Sequence, residues 1–161
     1  MRRATETLEL LRVLARHDVD FIVVGMTAGV LQGAPAVTLD LDVVYSLNPE
    51  NIDRLLVALN EIDAHFRNDA RRIPPNRSHL ESRGHKLLET TFGDLDVLAT
   101  IDDDLSYDAL VPDTVSLTVA ELSIRVLSLV RLIAVKERAG RPKDLAVLPL
   151  LRSTLELSRR R

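Results

Sequence analysis

The sequence predicts an α/β (α+β) fold: one domain with a mixed, twisted β-sheet flanked by helices. Three observations predict it. Helix-like and strand-like patterns alternate early in the chain, and strand-like runs then cluster through its middle. A length of 161 residues suits a single domain, with its core over about 18–100 and C-terminal helices over about 127–157.

The elements follow in order. Leu8, Leu10, Leu11, Val13 and Leu14 recur at helical spacing, which predicts an amphipathic helix over 5–17. Asp18-Val19-Asp20 ends it. Phe21-Ile22-Val23-Val24 is a short, β-branched apolar run, the pattern of a strand buried on both faces. Gly25 closes that strand, a short helix over 27–32 follows directly, and Gly33-Ala34-Pro35 breaks it.

Residues 37–45 alternate, with Val37, Leu39, Leu41 and Val43 on one face and Thr38, Asp40, Asp42 and Val44 on the other. Asn48 caps, and Pro49 opens, a helix expected to reach about His65. Residues 67–83 are polar and contain Pro74-Pro75, so they read as a surface loop with at most one short strand. Residues 86–91 and 94–99 form a hairpin turning at Phe92-Gly93, in which Asp94 reads as a turn residue. Residues 102–112 are an acidic connector. A second hairpin, 114–119 with 122–126, turns at Ala120-Glu121. Ser128 caps a helix through Ala139, Gly140 stops it, and Pro142 opens a last helix to about Leu157. Arg159-Arg160-Arg161 reads as a frayed, solvated tail.

Composition narrows the chemistry. Hydrophobic residues make up 46% and charged residues 28%, the balance of a globular chain rather than a disordered one. With 21 Lys plus Arg against 24 Asp plus Glu, the formal net charge is -3, which argues against a broad grip on nucleic acid. The absence of cysteine excludes disulfides, thiolate nucleophiles and Cys-ligated metal sites. No apolar run reaches the ~18 residues needed to span a bilayer. Met1-Arg2-Arg3-Ala4-Thr5-Glu6 lacks the apolar core of a signal peptide, so a cytoplasmic protein without a membrane partner is expected. Aromatic residues are only 3%, which leaves few platforms for stacking bases. No Ser-His-Asp triad, histidine-rich metal site or Walker-type loop is visible, and His17 and His65 fall at expected helix ends as structural residues.

The most informative segment is Thr38-Leu39-Asp40-Leu41-Asp42-Val43-Val44. Two carboxylates two positions apart on a strand share a face, about 7 Å from each other. Among apolar neighbours they repel, unless a divalent cation such as Mg²⁺ sits between them. An isolated Asp-x-Asp is more often an exposed strand face. Asp96, between Leu95 and Val97, adds a third carboxylate in an apolar run, and a third acid on a neighbouring strand lets two metals be bridged. Asp102-Asp103-Asp104 lacks apolar framing and reads as a solvated connector. Val23-Val24-Gly25-Met26-Thr27 joins a strand to a helix through glycine, an arrangement that suits either an ordinary turn or a phosphate cradle.

Val24-Gly25-Met26, Asp40-Leu41-Asp42 and Leu95-Asp96-Val97 together resemble the nucleotidyltransferase superfamily related to DNA polymerase beta. That family has an apolar residue before Gly-Gly or Gly-Ser, an acid-x-acid pair on the next strand, and a third acid between apolar residues. Pro49-Glu50-Asn51, Arg54-Leu55-Leu56, Leu132-Ile133-Ala134-Val135-Lys136 and Gly140-Arg141-Pro142-Lys143-Asp144-Leu145 extend the resemblance to small bacterial nucleotidyltransferases, including the toxin-like AbiEii group. It runs from residue 21 to about 150 and departs from the pattern at Met26, where the family has its second Gly or Ser.

The resemblance implies a metal-dependent nucleotidyltransferase that moves an NMP group from an NTP, ATP among them, to a hydroxyl acceptor on RNA such as tRNA, on protein or on a small molecule. It implies two Mg²⁺ ions held by Asp40, Asp42 and Asp96. Asp40 and Asp42 would position the triphosphate, and Asp96 would complete the second site and orient or deprotonate the acceptor hydroxyl. Gly25, Met26, Thr27, Thr38, Lys136 and Asp144 would bind the nucleotide. Arg71, Arg72, Arg77 and Arg83, with His79 and His85, form a basic loop that could meet RNA phosphates or simply be solvated. The alternative is a catalytically impaired binding or regulatory module, part of a toxin–antitoxin pair. A homodimer is compatible with either reading.

Overall fold

The computed structural model describes residues 4–160. The expectations for Met1, Arg2, Arg3 and Arg161 therefore lie outside the described residues. Helix α1 (Thr7–Arg16) buries Leu10, Leu11, Val13 and Leu14, and the chain reverses at Asp18 with φ 55°. Strand β1 (Phe21–Val24) is buried throughout and runs straight into α2 (Gly25–Leu31). Strand β2 is Asp40–Tyr45, three residues shorter at its start than the alternation predicts. Val37 is 92% and Leu39 50% exposed. The reason lies in the ladder: β1 gives way to α2 just past the Val24–Asp42 pair, so residues 37–39 have no strand to pair with on that side.

Helix α3 (Pro49–Glu61) is capped by the Asn48 side chain, which accepts from Glu50 N at 3.0 Å. It ends at Glu61 rather than near His65, because Asp63 turns the chain with φ 52° and His65–Phe66 form strand β3. Residues 67–83, expected to be loop, contain helix α4 (Arg77–Glu81). The Asn76 side chain accepts from His79 N, and the His79 ring accepts from Asn76 N, a reciprocal cap that fixes the first turn. Tyr45 Oη donates to Leu80 O at 2.6 Å and accepts from the buried Lys86 Nζ at 2.9 Å, tying α4 to the sheet.

Strands β4 (His85–Thr90) and β5 (Gly93–Leu98) form the expected hairpin. The acidic connector holds a separate small sheet, β6 (Thr100–Ile101) with β7 (Leu105–Ser106). Helix α5 (Tyr107–Leu110) and a 3₁₀ turn (Val111–Asp113) follow. Strands β8 (Thr114–Val119) and β9 (Leu122–Leu127) turn at Ala120 and Glu121, both with positive φ (47° and 72°), as two-residue hairpins require. Helix α6 (Leu129–Ala139) has Ser128 as its cap and stops at Gly140, φ 63°. Helix α7 (Pro142–Arg159) runs past the expected Leu157. Arg159, read as a frayed tail, is its last residue, and Arg160 pairs with Glu156 at 2.6 Å.

The result is a mixed, twisted seven-stranded sheet in the order β3-β4-β5-β2-β1-β9-β8. The β2–β5 and β1–β9 pairs are parallel and the others antiparallel. Helix α1 packs on α3, and α2 lies among β2, β9, α6 and β1. Among the described residues, no helix is long and apolar enough to cross a membrane.

Candidate active site

The sheet register brings the acids together. Asp40 and Asp42 share a face of β2, and the parallel pairing of β2 with β5 sets Asp42 opposite Asp96 and Asp40 opposite Asp94. One carboxylate oxygen from each of Asp40, Asp42 and Asp96 lies within 4.8 Å of the others. Asp96 is buried, while Asp40 and Asp42 are half-buried. The three aspartates singled out from the sequence thus converge.

Such crowding is electrostatically costly. Burial, then the charges of Asp40 and Asp96 and a hydrogen bond shared with Asp96, push the Asp42 carboxyl up to about 8. Lys136 pulls the other way. Asp96 is also raised, by burial first, while Arg67 and the Asp42 proton hold it down. Without a cation, Asp42 therefore keeps a proton near neutral pH. Its Oδ1 is buried and has no hydrogen-bond partner among the described residues. A buried acceptor without a donor is destabilising. Hard carboxylate oxygens in a cluster, one of them an unsatisfied buried acceptor, fit a divalent cation such as Mg²⁺.

Gly25 forms the corner beside this cluster. Its φ is 65°, and a Cβ there would lie 2.5 Å from Asp42 Oδ2. Together the positive φ and the close approach of Asp42 favour glycine here. Met26 is half-buried and packs against the hydrophobic core. Thr27 is buried, and its hydroxyl donates to Asp40 O at 3.2 Å and can accept from the Thr38 hydroxyl at 3.4 Å. Thr27 and Thr38 thus pin the start of β2, and with it Asp40.

Lys136, near the end of α6, faces Asp144 on α7 at 3.2 Å. Asp144 is 0% exposed, and Arg141 Nε holds its other oxygen at 2.6 Å. Burial alone would raise this carboxyl, but hydrogen bonds from Arg141 and Lys136 hold it below the usual carboxylate range. Asp144 is thus set to hold two cations in place, and the charge of Lys136 is felt at Asp42.

Two residues were not assigned to the site from the sequence: Asp94 was set aside, although it pairs with Asp96 in spacing, and Arg67 was not singled out. Asp94, read as a turn residue, is a buried member of β5. The signal was available, since Asp94 stands two positions from Asp96 as Asp40 does from Asp42, and strand alternation puts both on one face. Arg67, read as loop, reaches Asp96 Oδ1 at 2.5 Å and Asp94 Oδ2 at 3.5 Å. No local pattern marks it; the pairing of β3 with β4 carries it there. The remaining basic residues of the segment are engaged elsewhere. Arg71 pairs with Asp69, Arg72 with Asp63, Arg77 with Asp53 and Arg83 with Asp104. His79 serves the α4 cap, and His17 bonds Glu61 at 3.0 Å. Asp102 and Asp103, read as solvated, both pair with Arg138.

No protein-family model matches the sequence, and no curated protein matches it. Solved structures do match. The lincosamide antibiotic adenylyltransferase LnuA, solved with lincomycin bound, is 14% identical, with 94% of this chain and 98% of that chain covered and a TM-score of 0.64. The antibiotic-resistance factor ANT(2'')-Ia is 13% identical over 92% of this chain and 82% of its own, with a TM-score of 0.62. TM1012 from Thermotoga maritima, solved as a candidate nucleotidyltransferase, is 16% identical over 89% and 88%, with a TM-score of 0.58. The chain has the nucleotidyltransferase fold.

Proposed function

We propose that this protein is a divalent-cation-dependent nucleotidyltransferase that moves a nucleoside monophosphate from an NTP to an acceptor hydroxyl. The observation that carries this reading is the convergence of Asp40, Asp42 and Asp96 within 4.8 Å beside the glycine corner at Gly25. Asp40 and Asp42 would hold the Mg²⁺ associated with the triphosphate, and Asp96 would share a second ion with them. When bound, Mg²⁺ neutralises charge on the phosphates as the α-phosphorus is attacked and pyrophosphate leaves. Asp96 orients the acceptor hydroxyl and accepts its proton on a carboxylate oxygen. Gly25, Met26 and Thr27, at the corner where β1 enters α2, would line the nucleotide's phosphates, as the family resemblance implies. Lys136, held by Asp144, adds a fixed positive charge beside the cluster.

A small hydroxylated molecule is the acceptor class the observations favour. LnuA is solved with lincomycin, and ANT(2'')-Ia with adenylyl-2''-tobramycin. Arg71, Arg72, Arg77 and Arg83 already pair with carboxylates of this chain, which weakens the segment as an RNA-phosphate surface.

The test is incubation of the protein with Mg²⁺ and each of the four α-labelled NTPs, against separate pools of hydroxylated small molecules, RNA and protein. Label is expected in the small-molecule pool, and Asp42→Ala should lose at least 10²-fold of the transfer rate while keeping its circular dichroism spectrum. Transfer undiminished in Asp42→Ala would contradict the assignment, and label in RNA or protein would redirect the acceptor class.

A further inference from the structure

We propose that Arg67 is a resident counter-ion of the acid cluster and competes with a divalent cation for Asp96. The proposal rests on the metal-site reading above and adds to it a residue that sets how tightly the site takes its cation.

The contacts are specific. Arg67 is anchored by its backbone, whose N–H donates to Leu87 O at 2.9 Å. One guanidinium nitrogen, Nη2, donates both to Leu88 O at 3.0 Å and to Asp96 Oδ1 at 2.5 Å. The side chain is 15% exposed, so solvent screens this pair less than a surface pair. A carboxylate oxygen with a guanidinium at that distance cannot also take a cation at bonding distance without bringing two like charges together. Cation capture through Asp96 Oδ1 requires the guanidinium to withdraw, and capture through Oδ2 still sets the dication and the guanidinium on one carboxylate, where they repel.

The seat of Arg67 is incomplete. Its Nε is buried without a hydrogen-bond partner among the described residues, and it stands 3.5 Å from Asp94 Oδ2. An arginine fork that meets a carboxylate in a full bidentate pair is hard to displace. Here one N–H is unsatisfied, which lowers the cost of release. Asp94 keeps the guanidinium nearby once it leaves Asp96, so the displacement is a shift across neighbouring carboxylates of one strand rather than expulsion to solvent.

The experiment is calorimetric titration of Mn²⁺ into wild type, Arg67→Gln and Asp42→Ala at low ionic strength and pH 9, where protons compete least, paired with thermal melting with and without the cation. Arg67→Gln is expected to bind Mn²⁺ about tenfold more tightly. Its Tm should fall below wild type without cation, and the gap should close at saturating Mn²⁺. An arginine serving only to pack would leave the affinity unchanged and the gap constant. Equal or weaker affinity in Arg67→Gln, with Asp42→Ala still weakening the site, overturns the proposal and leaves the metal-site reading standing. If wild type binds no Mn²⁺, both fall. Should Arg67→Gln fail to fold, Arg67→Met, which removes the charge but keeps a long side chain, is expected to bind Mn²⁺ more tightly than wild type, and an unchanged affinity there overturns the proposal.

Discussion

Asp42 carries the most contested charge in the molecule. It faces Asp96 across the strand pair, touches the space a Gly25 Cβ would fill, and has a buried oxygen with no donor among the described residues. Burial and its acidic neighbours move its carboxyl from 3.8 to about 8. A carboxyl raised in the folded state binds more protons there than in the unfolded chain, so its contribution to stability declines as pH rises through that window. In the absence of divalent cation, Tm is expected to fall between about pH 4 and pH 8, and Asp42→Asn should lack its share of that fall. Thermal melts of both proteins across this range check it, and identical slopes would contradict the shift. Added Mg²⁺ should flatten the wild-type slope, because a bound dication stabilises the ionised form. At this scale the sequence was informative: Asp40, Asp42 and Asp96 stand in apolar strand runs, where an acid needs a reason. Arg67 was not legible, because nothing in its local sequence distinguishes it from the other arginines of its segment.

Among the elements, the α6–α7 corner is tied by a buried carboxylate. Asp144, near the start of α7, is 0% exposed and engages Lys136 from α6 together with its neighbour Arg141. Removing a buried carboxylate that holds two cations leaves Lys136 poorly compensated. Asp144→Ala is therefore expected to cost about 2–3 kcal/mol, below the range for a fully buried pair because Arg141 is largely exposed. Urea unfolding measures it, and a change under about 0.5 kcal/mol, the usual size of a surface substitution, would contradict the structural role given to Asp144. Element existence was well marked in the sequence wherever an apolar run met a cap or a glycine, as at Phe21–Val24 and Ser128. The failures share a cause. Helix α4 is five residues long with Leu80 as its buried residue, too short for periodicity to show. The start of β2 depended on where its partner strand ended, and β3 on pairing with a distant strand. Those are facts of tertiary pairing rather than of local pattern.

Across the whole molecule, the site is a product of strand order. Placing β2 centrally, antiparallel to β1 and parallel to β5, sets the glycine corner at one end of β1 beside the acid pair of β2 and the acid pair of β5. Four carboxylates on adjoining strands, with Arg67 and Lys136 close by, form a charged centre that a net charge of -3 does not reveal. The resemblance from residue 21 to about 150 anticipated this architecture. The shared fold of LnuA and ANT(2'')-Ia, covering more than nine-tenths of this chain, agrees with it despite low identity. The central claim is that the acid cluster and the glycine corner together take a cation-loaded nucleotide. Thermal stability with Mg²⁺ alone, NTP alone and both together, in wild type and Asp42→Ala, tests it most directly. Wild type should gain more from the combination than from the sum of the separate additions, and Asp42→Ala should lose that joint gain. An equal joint gain in both proteins, or none in wild type, would contradict it.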